Sequence, residues 1–132
     1  MKNPKPSLGR PKLGLGQNWE VGRAGEEVAK KYLEDKGYKI IEQNYRTKYA
    51  EIDLVAQRDN VLILVEVRTK TDEKFGAPEE TINKRKMRKL QMSALAYTSR
   101  IKWQGRYQID AICLILDKNN NSKRLNHYEN IC

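Results

Sequence analysis

Val61-Leu62-Ile63-Leu64-Val65-Glu66-Val67-Arg68-Thr69-Lys70 reads as one strand, apolar in its first half and charged at alternate positions in its second. A period of two puts Glu66, Arg68 and Lys70 on one face and Ile63, Val65 and Val67 on the other. The apolar run from Val61 to Val67 predicts a central strand, where charge needs a reason. Upstream, Glu51 to Gln57 reads as another strand, and the short Arg58-Asp59-Asn60 link makes the two a hairpin. In that upstream strand Glu51 and Asp53 fall on one face, with Ile52 and Leu54 on the other.

Working outward, Trp19 to Lys36 has helical period, with Val21, Ala24, Gly25, Val28, Ala29, Tyr32 and Leu33 in one stripe and Gly37 as the stop. Glu27 lies opposite that stripe, in water, whereas Glu26 is roughly 100° round from Gly25 and borders the buried face. A strand follows from Tyr38 to Tyr45. Residues 71–82 read as loop, with Gly76 and Pro78 as breakers, and Asn83 is a good N-cap for a second helix. Its apolar positions are Met87, Leu90, Ala94, Tyr97 and Ile101, and Gly105 breaks it. A strand from Tyr107 to Leu116, a polar turn and a short strand around Asn126 to Ile131 complete the chain. The order α-β-β-β-α-β-β predicts an α/β fold with a mixed central sheet flanked by helices.

With 132 residues the chain suits one domain, expected over 19–132. Residues 1–18 hold three Pro, three Gly, four Lys or Arg and no acid, and read as a flexible basic arm, either merely solvated or tracking a phosphate backbone. The formal net charge of +9 favours polyanionic partners, nucleic acid before an acidic membrane surface. Cys113 and Cys132 make neither a disulfide framework nor a zinc spacing, which suits a reducing cytosol. No apolar run approaches a membrane span, and the first residues lack the apolar centre of a signal peptide. The expectation is a soluble, cytoplasmic protein.

Adjacent strands lie about 4.8 Å apart, so carboxylates at matching heights on the hairpin converge. Carboxylates without cysteine or histidine partners suit a hard cation, Mg²⁺ or Mn²⁺, and the backbone carbonyl of Val67 could complete the ligand set. Lewis-acid assistance to phosphodiester cleavage follows from such a site. The competing explanation is a set of cross-strand ion pairs on a solvated face, the usual fate of such alternation. The apolar strand and the border carboxylate Glu26 weigh against it.

The runs GRAGEEVAKKYLEDKGYKIIEQNYRTKYAEIDLVAQRDNVLILVEVRTK and FGAPEETINKRKMRKL resemble the YraN-like family of endonucleases, from about Gly22 to the C-terminus. That family is similar to archaeal Holliday-junction resolvases, and the resemblance implies a restriction-endonuclease-like core with a Mg²⁺-dependent deoxyribonuclease site of the PD-(D/E)xK type. Position by position it implies Glu26 as the helix acid and Asp53 and Glu66 as metal carboxylates. It places Arg68 where the lysine usually stands, Glu51 beside the metal and Lys86 in the second helix. It also makes a homodimer plausible. Ala50 replaces the glycine common before E-I-D, a mild change unless that position has φ > 0.

Arginine stays protonated and cannot act as a general base, although it can pair with the scissile phosphate. Lys70 shares its face roughly 6.6 Å further along the strand. Three outcomes stay open. The metal generates hydroxide unaided, Lys70 stands in, or the site binds DNA without cutting.

Lys84, Arg85, Lys86, Arg88 and Lys89 crowd the first two turns of the second helix. Cations near a helix N-terminus oppose the macrodipole, so stability does not explain them. They read as a phosphate-contacting ridge, with Lys86 able to turn toward the site instead. Tyr45 and Tyr49, interleaved with Arg46 and Lys48, read first as packing residues; Trp19 and Trp103 read as plugs at the core edge. Asp110 and His127 read as structural. Two functions stand: a metal-dependent endonuclease acting on DNA, branched or structured DNA included, and a non-catalytic nucleic-acid-binding protein that keeps the fold.

Overall fold

The computed structural model describes residues 16–132, with side chains from Trp19 onward. The basic arm expected over 1–18 lies outside the described residues except for Gly16 to Asn18, which form the first turn of helix α1 (Gly16–Asp35). That helix therefore starts three residues before Trp19. It stops as its sequence predicts, in a left-handed Gly37 (φ 93°). There Gly37 N–H donates to the Glu34 carbonyl and Tyr38 N–H to the Leu33 carbonyl, closing the last turn.

Strands β1 (Lys39–Arg46), β2 (Glu51–Arg58) and β3 (Val61–Lys70) form an antiparallel meander. The segment after β3 holds one 3₁₀ turn, Pro78–Thr81, where only loop was expected. Helix α2 (Lys84–Ile101) begins at Asn83, whose side chain accepts the Lys86 N–H at 2.8 Å. Its stop is not Gly105 but Lys102, in a left-handed conformation, with Trp103 N–H donating to the Thr98 carbonyl. Strands β4 (Arg106–Leu116) and β5 (Ser122–Tyr128) complete a five-stranded sheet in the order β1-β2-β3-β4-β5. Only β3 and β4 run parallel, and α2 carries the crossover between them. This is the mixed, helix-flanked sheet of the restriction-endonuclease-like fold. Strand β5 differs from expectation, running over 122–128 rather than 126–131.

Central β3 separates two apolar layers, which is why its run is apolar on both faces. Ile63, Val65 and Val67 join Leu54, Ile112, Leu114 and the α1 residues Ala29 and Leu33 on one side. Leu62 and Leu64 join Ile52, Val55 and the α2 residues Leu90, Ala94 and Tyr97 on the other. Ile52 and Leu54 therefore occupy opposite layers, correcting the single face that strict alternation assigned them. The switch falls between the pairs Gln43–Leu54 and Tyr45–Ile52, beside Asn44 of β1, whose φ of 51° departs from the extended backbone. Asparagine tolerates that conformation at small cost. No helix among the described residues is long and apolar enough to cross a membrane.

Candidate active site

Pairing of β2 with β3 ends at Leu54 and Val65, while β3 continues beside β4 as far as Lys70. Beyond that point the two strands part, and Asp53 and Glu66 flank the opening. Asp53 Oδ2 accepts the Val67 N–H at 2.8 Å, so the carboxylate takes over a backbone donor that the ladder no longer serves. Both acids are buried, Asp53 to 9% exposure and Glu66 to 2%. Burial, then the charges of Glu66 and Glu26, push the Asp53 carboxyl well above its usual range.

Helix α1 delivers Glu26 to the same place. A Cβ on Gly25 would lie 1.9 Å from Thr69 Oγ1, so only glycine lets the helix come this close to β3. Glu26 accepts a hydrogen bond from Asn44 Nδ2 at 3.0 Å, which gives this residue of β1 a use at the site. Its carboxyl is raised to about 7, chiefly by burial, with Asn44 pulling it down and Glu51 pushing it up. Glu51 itself sits 3.9 Å from Arg46 and contributes repulsion to both Glu26 and Asp53.

The cations are sorted differently from their strand spacing. Arg68 Nη1 donates to Glu66 Oε2 at 3.1 Å, and its Nε donates to Thr81 Oγ1 at 2.7 Å. Lys70 turns to the loop instead, donating to the Gly76 carbonyl at 3.1 Å. The ammonium beside the carboxylates is that of Lys86, 3.4 Å from Glu66 Oε2. Lys86 thus leaves the surface ridge in which it was counted. Lys84, Arg85, Arg88 and Lys89 remain exposed and, among the described residues, form no salt bridge.

A cavity of about 260 Å³ opens beside these groups, lined by Gly22, Glu26, Val67, Arg68, Lys70 and Thr81 among others. Oxygen donors without sulfur or imidazole fit a hard divalent cation. Among the described residues no three His, Cys, Asp or Glu side chains stand close enough to form a ready metal site. Glu26, Asp53 and Glu66 are nonetheless electrostatic neighbours, the charges of Glu66 and Glu26 both acting on Asp53.

Several predicted structural roles hold. Asp110 is fully buried and pairs with His127 Nε2 at 2.8 Å, while His127 Nδ1 meets the Tyr32 hydroxyl at 3.0 Å. Tyr45 packs edge-on against Tyr97. Ala50 has no positive φ, so the glycine it replaces is not required there. Asn44 and Thr81, which hold Glu26 and Arg68, carried no signal in the sequence. The same is true of the turn around Phe75, apart from its Gly-Pro content.

A family model described as "Uncharacterised protein family UPF0102" matches residues 25–114, a span that contains every carboxylate of the cleft together with Arg68 and Lys86. The chain belongs to UPF0102. A UPF0102 protein of Thermodesulfovibrio yellowstonii is 40% identical over 111 residues, covering 84% of this chain and 94% of its own. One from Syntrophomonas wolfei is 37% identical over 114 residues, covering 86% and 97%. Another, from a Sulfurihydrogenibium species, is 41% identical over 96 residues, covering 72% and 84%. The UPF0102 match agrees with the YraN-like resemblance read from the motifs, and the restriction-endonuclease-like fold agrees with both.

Proposed function

We propose that this UPF0102 protein is a metal-dependent endonuclease that hydrolyses phosphodiester bonds in DNA. The observation that carries the reading is the parting of β2 from β3, which leaves Asp53 and Glu66 buried at one opening with Glu26 beside them. Burying mutually repelling carboxylates is costly unless a cation offsets it. Asp53 and Glu66, with Glu26 and the Val67 carbonyl as further candidates, would hold Mg²⁺ or Mn²⁺. When bound, such a cation supplies Lewis acidity toward a phosphate oxygen.

The protein's own groups do the rest. Arg68 and Lys86 keep Glu66 oriented from one oxygen. Thr81 fixes the Arg68 guanidinium at the cavity wall, where its charge can meet a phosphate. Arg68 cannot take a proton from water, and Lys70 is committed to the Gly76 carbonyl. Lys86, whose ammonium lies 3.4 Å from Glu66 Oε2, is the lysine that would orient the attacking water by hydrogen bonding.

The exposed cations Lys84, Arg85, Arg88 and Lys89 on α2 serve equally a second reading, a nucleic-acid-binding protein that keeps the nuclease fold without cutting. One experiment separates the two. Purified protein is offered single-stranded, duplex, flapped and four-way DNA with Mg²⁺ and with Mn²⁺. Asp53→Asn and Glu66→Gln are expected to lower cleavage at least about a hundredfold while leaving DNA affinity in place. Lys86→Met is expected to slow cleavage, and Lys70→Met to leave the rate much closer to that of the parent. Binding without cleavage of any of these DNAs would move the assignment to the second reading.

A further inference from the structure

We propose that Phe75 stacks on an unpaired nucleobase beside the cleft, directing the site to DNA whose bases are already exposed. The proposal rests on the nucleic-acid reading above and names its substrate class. Phe75 is the chain's single phenylalanine, yet it stands 88% exposed. An aromatic ring left in water forfeits the free energy its burial would release, and here the surrounding turn is built to keep it out.

Four contacts fix the backbone on either side of the ring. Lys74 N–H donates to Asp72 Oδ1 at 3.0 Å, and Gly76 N–H donates to the Glu73 carbonyl at 3.0 Å. Lys70 Nζ grips the Gly76 carbonyl, and Ala77 N–H donates to Glu80 Oε2 at 3.3 Å. Gly76 has a φ of 108°, and a Cβ there would lie 2.8 Å from Glu80 Oε1, so the turn needs its glycine. The ring is thus presented on a preordered backbone, with only two side-chain torsions left to settle on binding.

Its position relates it to the chemistry. Lys70, which holds the turn, lines the same cavity as Glu26 and Arg68, and so does Pro78 on the far side of the turn. Thr71, Asp72, Glu73 and Lys74 are polar and exposed, so the surface offers one planar ring rather than an apolar patch for a protein partner. Glu73 is paired with Arg124 at 3.8 Å, and the chain carries a net charge of +9. A lone aromatic face beside a cavity lined by Arg68 and Lys70 suits a base whose phosphate reaches those cations. In a duplex both faces of each base are already stacked, so the ring selects a base at a flap, gap or branch.

The test uses the full chain and a DNA flap carrying 2-aminopurine as its first unpaired base, with a matched duplex as control. Stacking is expected to quench the probe on binding of the parent protein. Phe75→Ala is expected to remove the quench and weaken flap binding roughly ten- to hundredfold, with duplex binding kept within about twofold. Phe75→Trp is expected to restore both signals. Retained quench and flap affinity in Phe75→Ala would overturn the proposal, as would equal losses on flap and duplex. A change in sedimentation without a change in flap preference would assign the ring to a second copy of the chain. If the parent binds neither DNA, the nucleic-acid reading falls with the proposal. Duplex binding with a silent probe defeats the stacking alone.

Discussion

A Cβ on Gly25 would lie 2.8 Å from the Thr69 Cβ as well as colliding with its hydroxyl, whereas one on Gly22 would meet nothing within 4 Å. Both glycines belong to the same helix, so the intrinsic cost of glycine is equal and only the surroundings differ. Gly25→Ala is expected to destabilise the fold by about 1–3 kcal/mol through overpacking. Gly22→Ala is expected to gain about 0.5–1 kcal/mol of helix stability. Urea denaturation of the two variants checks both signs. Thr69→Ala should not rescue Gly25→Ala, because the clash includes a β-carbon that alanine keeps. At this scale the helix period placed Glu26 at the border of the buried face, and the strand period kept Glu66 and Arg68 on one face. Asp53 instead lies where the pleat of β2 switches between Ile52 and Leu54, which alternation does not show. The sequence could not decide between Lys70 and Lys86. Spacing along a strand measures distance, but the Gly76 carbonyl that captures Lys70 comes from a loop whose path no period encodes.

Among elements, the 3₁₀ turn is tied to β5 by Glu79, which pairs with Arg124 through both guanidinium nitrogens at 2.7 and 3.1 Å and accepts the Tyr128 hydroxyl at 2.7 Å. The Arg124 hydrogen bonds are the main cause that holds the Glu79 carboxyl down at about 2. A carboxyl depressed in the folded state contributes stability that is complete above its ordinary pKa of 4.5 and is lost as pH falls from there toward 2. Because the pair is partly solvated, Glu79→Gln is expected to cost only about 1 kcal/mol at neutral pH. It should cost nothing once the parent's own Glu79 is protonated, and denaturation at the two pH extremes tests this. The same tie explains why β5 was misplaced. Its alternate residues Arg124, Asn126 and Tyr128 are polar, and Arg124 also donates to Asn126 within the strand. Leu125 and His127 fill the other face, Leu125 against the α1-side core and His127 against Asp110. An apolar period of two is therefore absent, although the strand is regular. The long, apolar β3 was legible for the opposite reason, being covered on both faces.

Across the whole molecule, the +9 charge gives no fold information but does predict behaviour toward polyanions. Lys84, Arg85, Arg88 and Lys89 stand exposed on α2, the helix that also sends Lys86 into the cleft. If they meet phosphates, the dependence of log affinity on log salt should flatten by about 0.9 for each contact removed from B-form DNA. Fluorescence titrations of Lys84→Ala, Arg85→Ala and Lys89→Ala, alone and combined, measure that slope. An unchanged slope in the triple variant would show that the ridge is merely solvated.

Strand order that follows chain order has a kinetic consequence. The turns joining β1, β2 and β3 are short, so the meander that brings Asp53 near Glu66 has little loop-closure entropy to overcome. Pairing β3 with β4, with Val61 opposite Arg106, must instead close a loop that contains all of α2. Contacts of such sequence separation dominate the folding time of mixed sheets. The carboxylates thus come from the locally assembled part of the chain. Arg68 meets Glu66 from the same strand. Lys86 reaches it only with the helix that carries the long-range crossover, so this second charge partner depends on that closure.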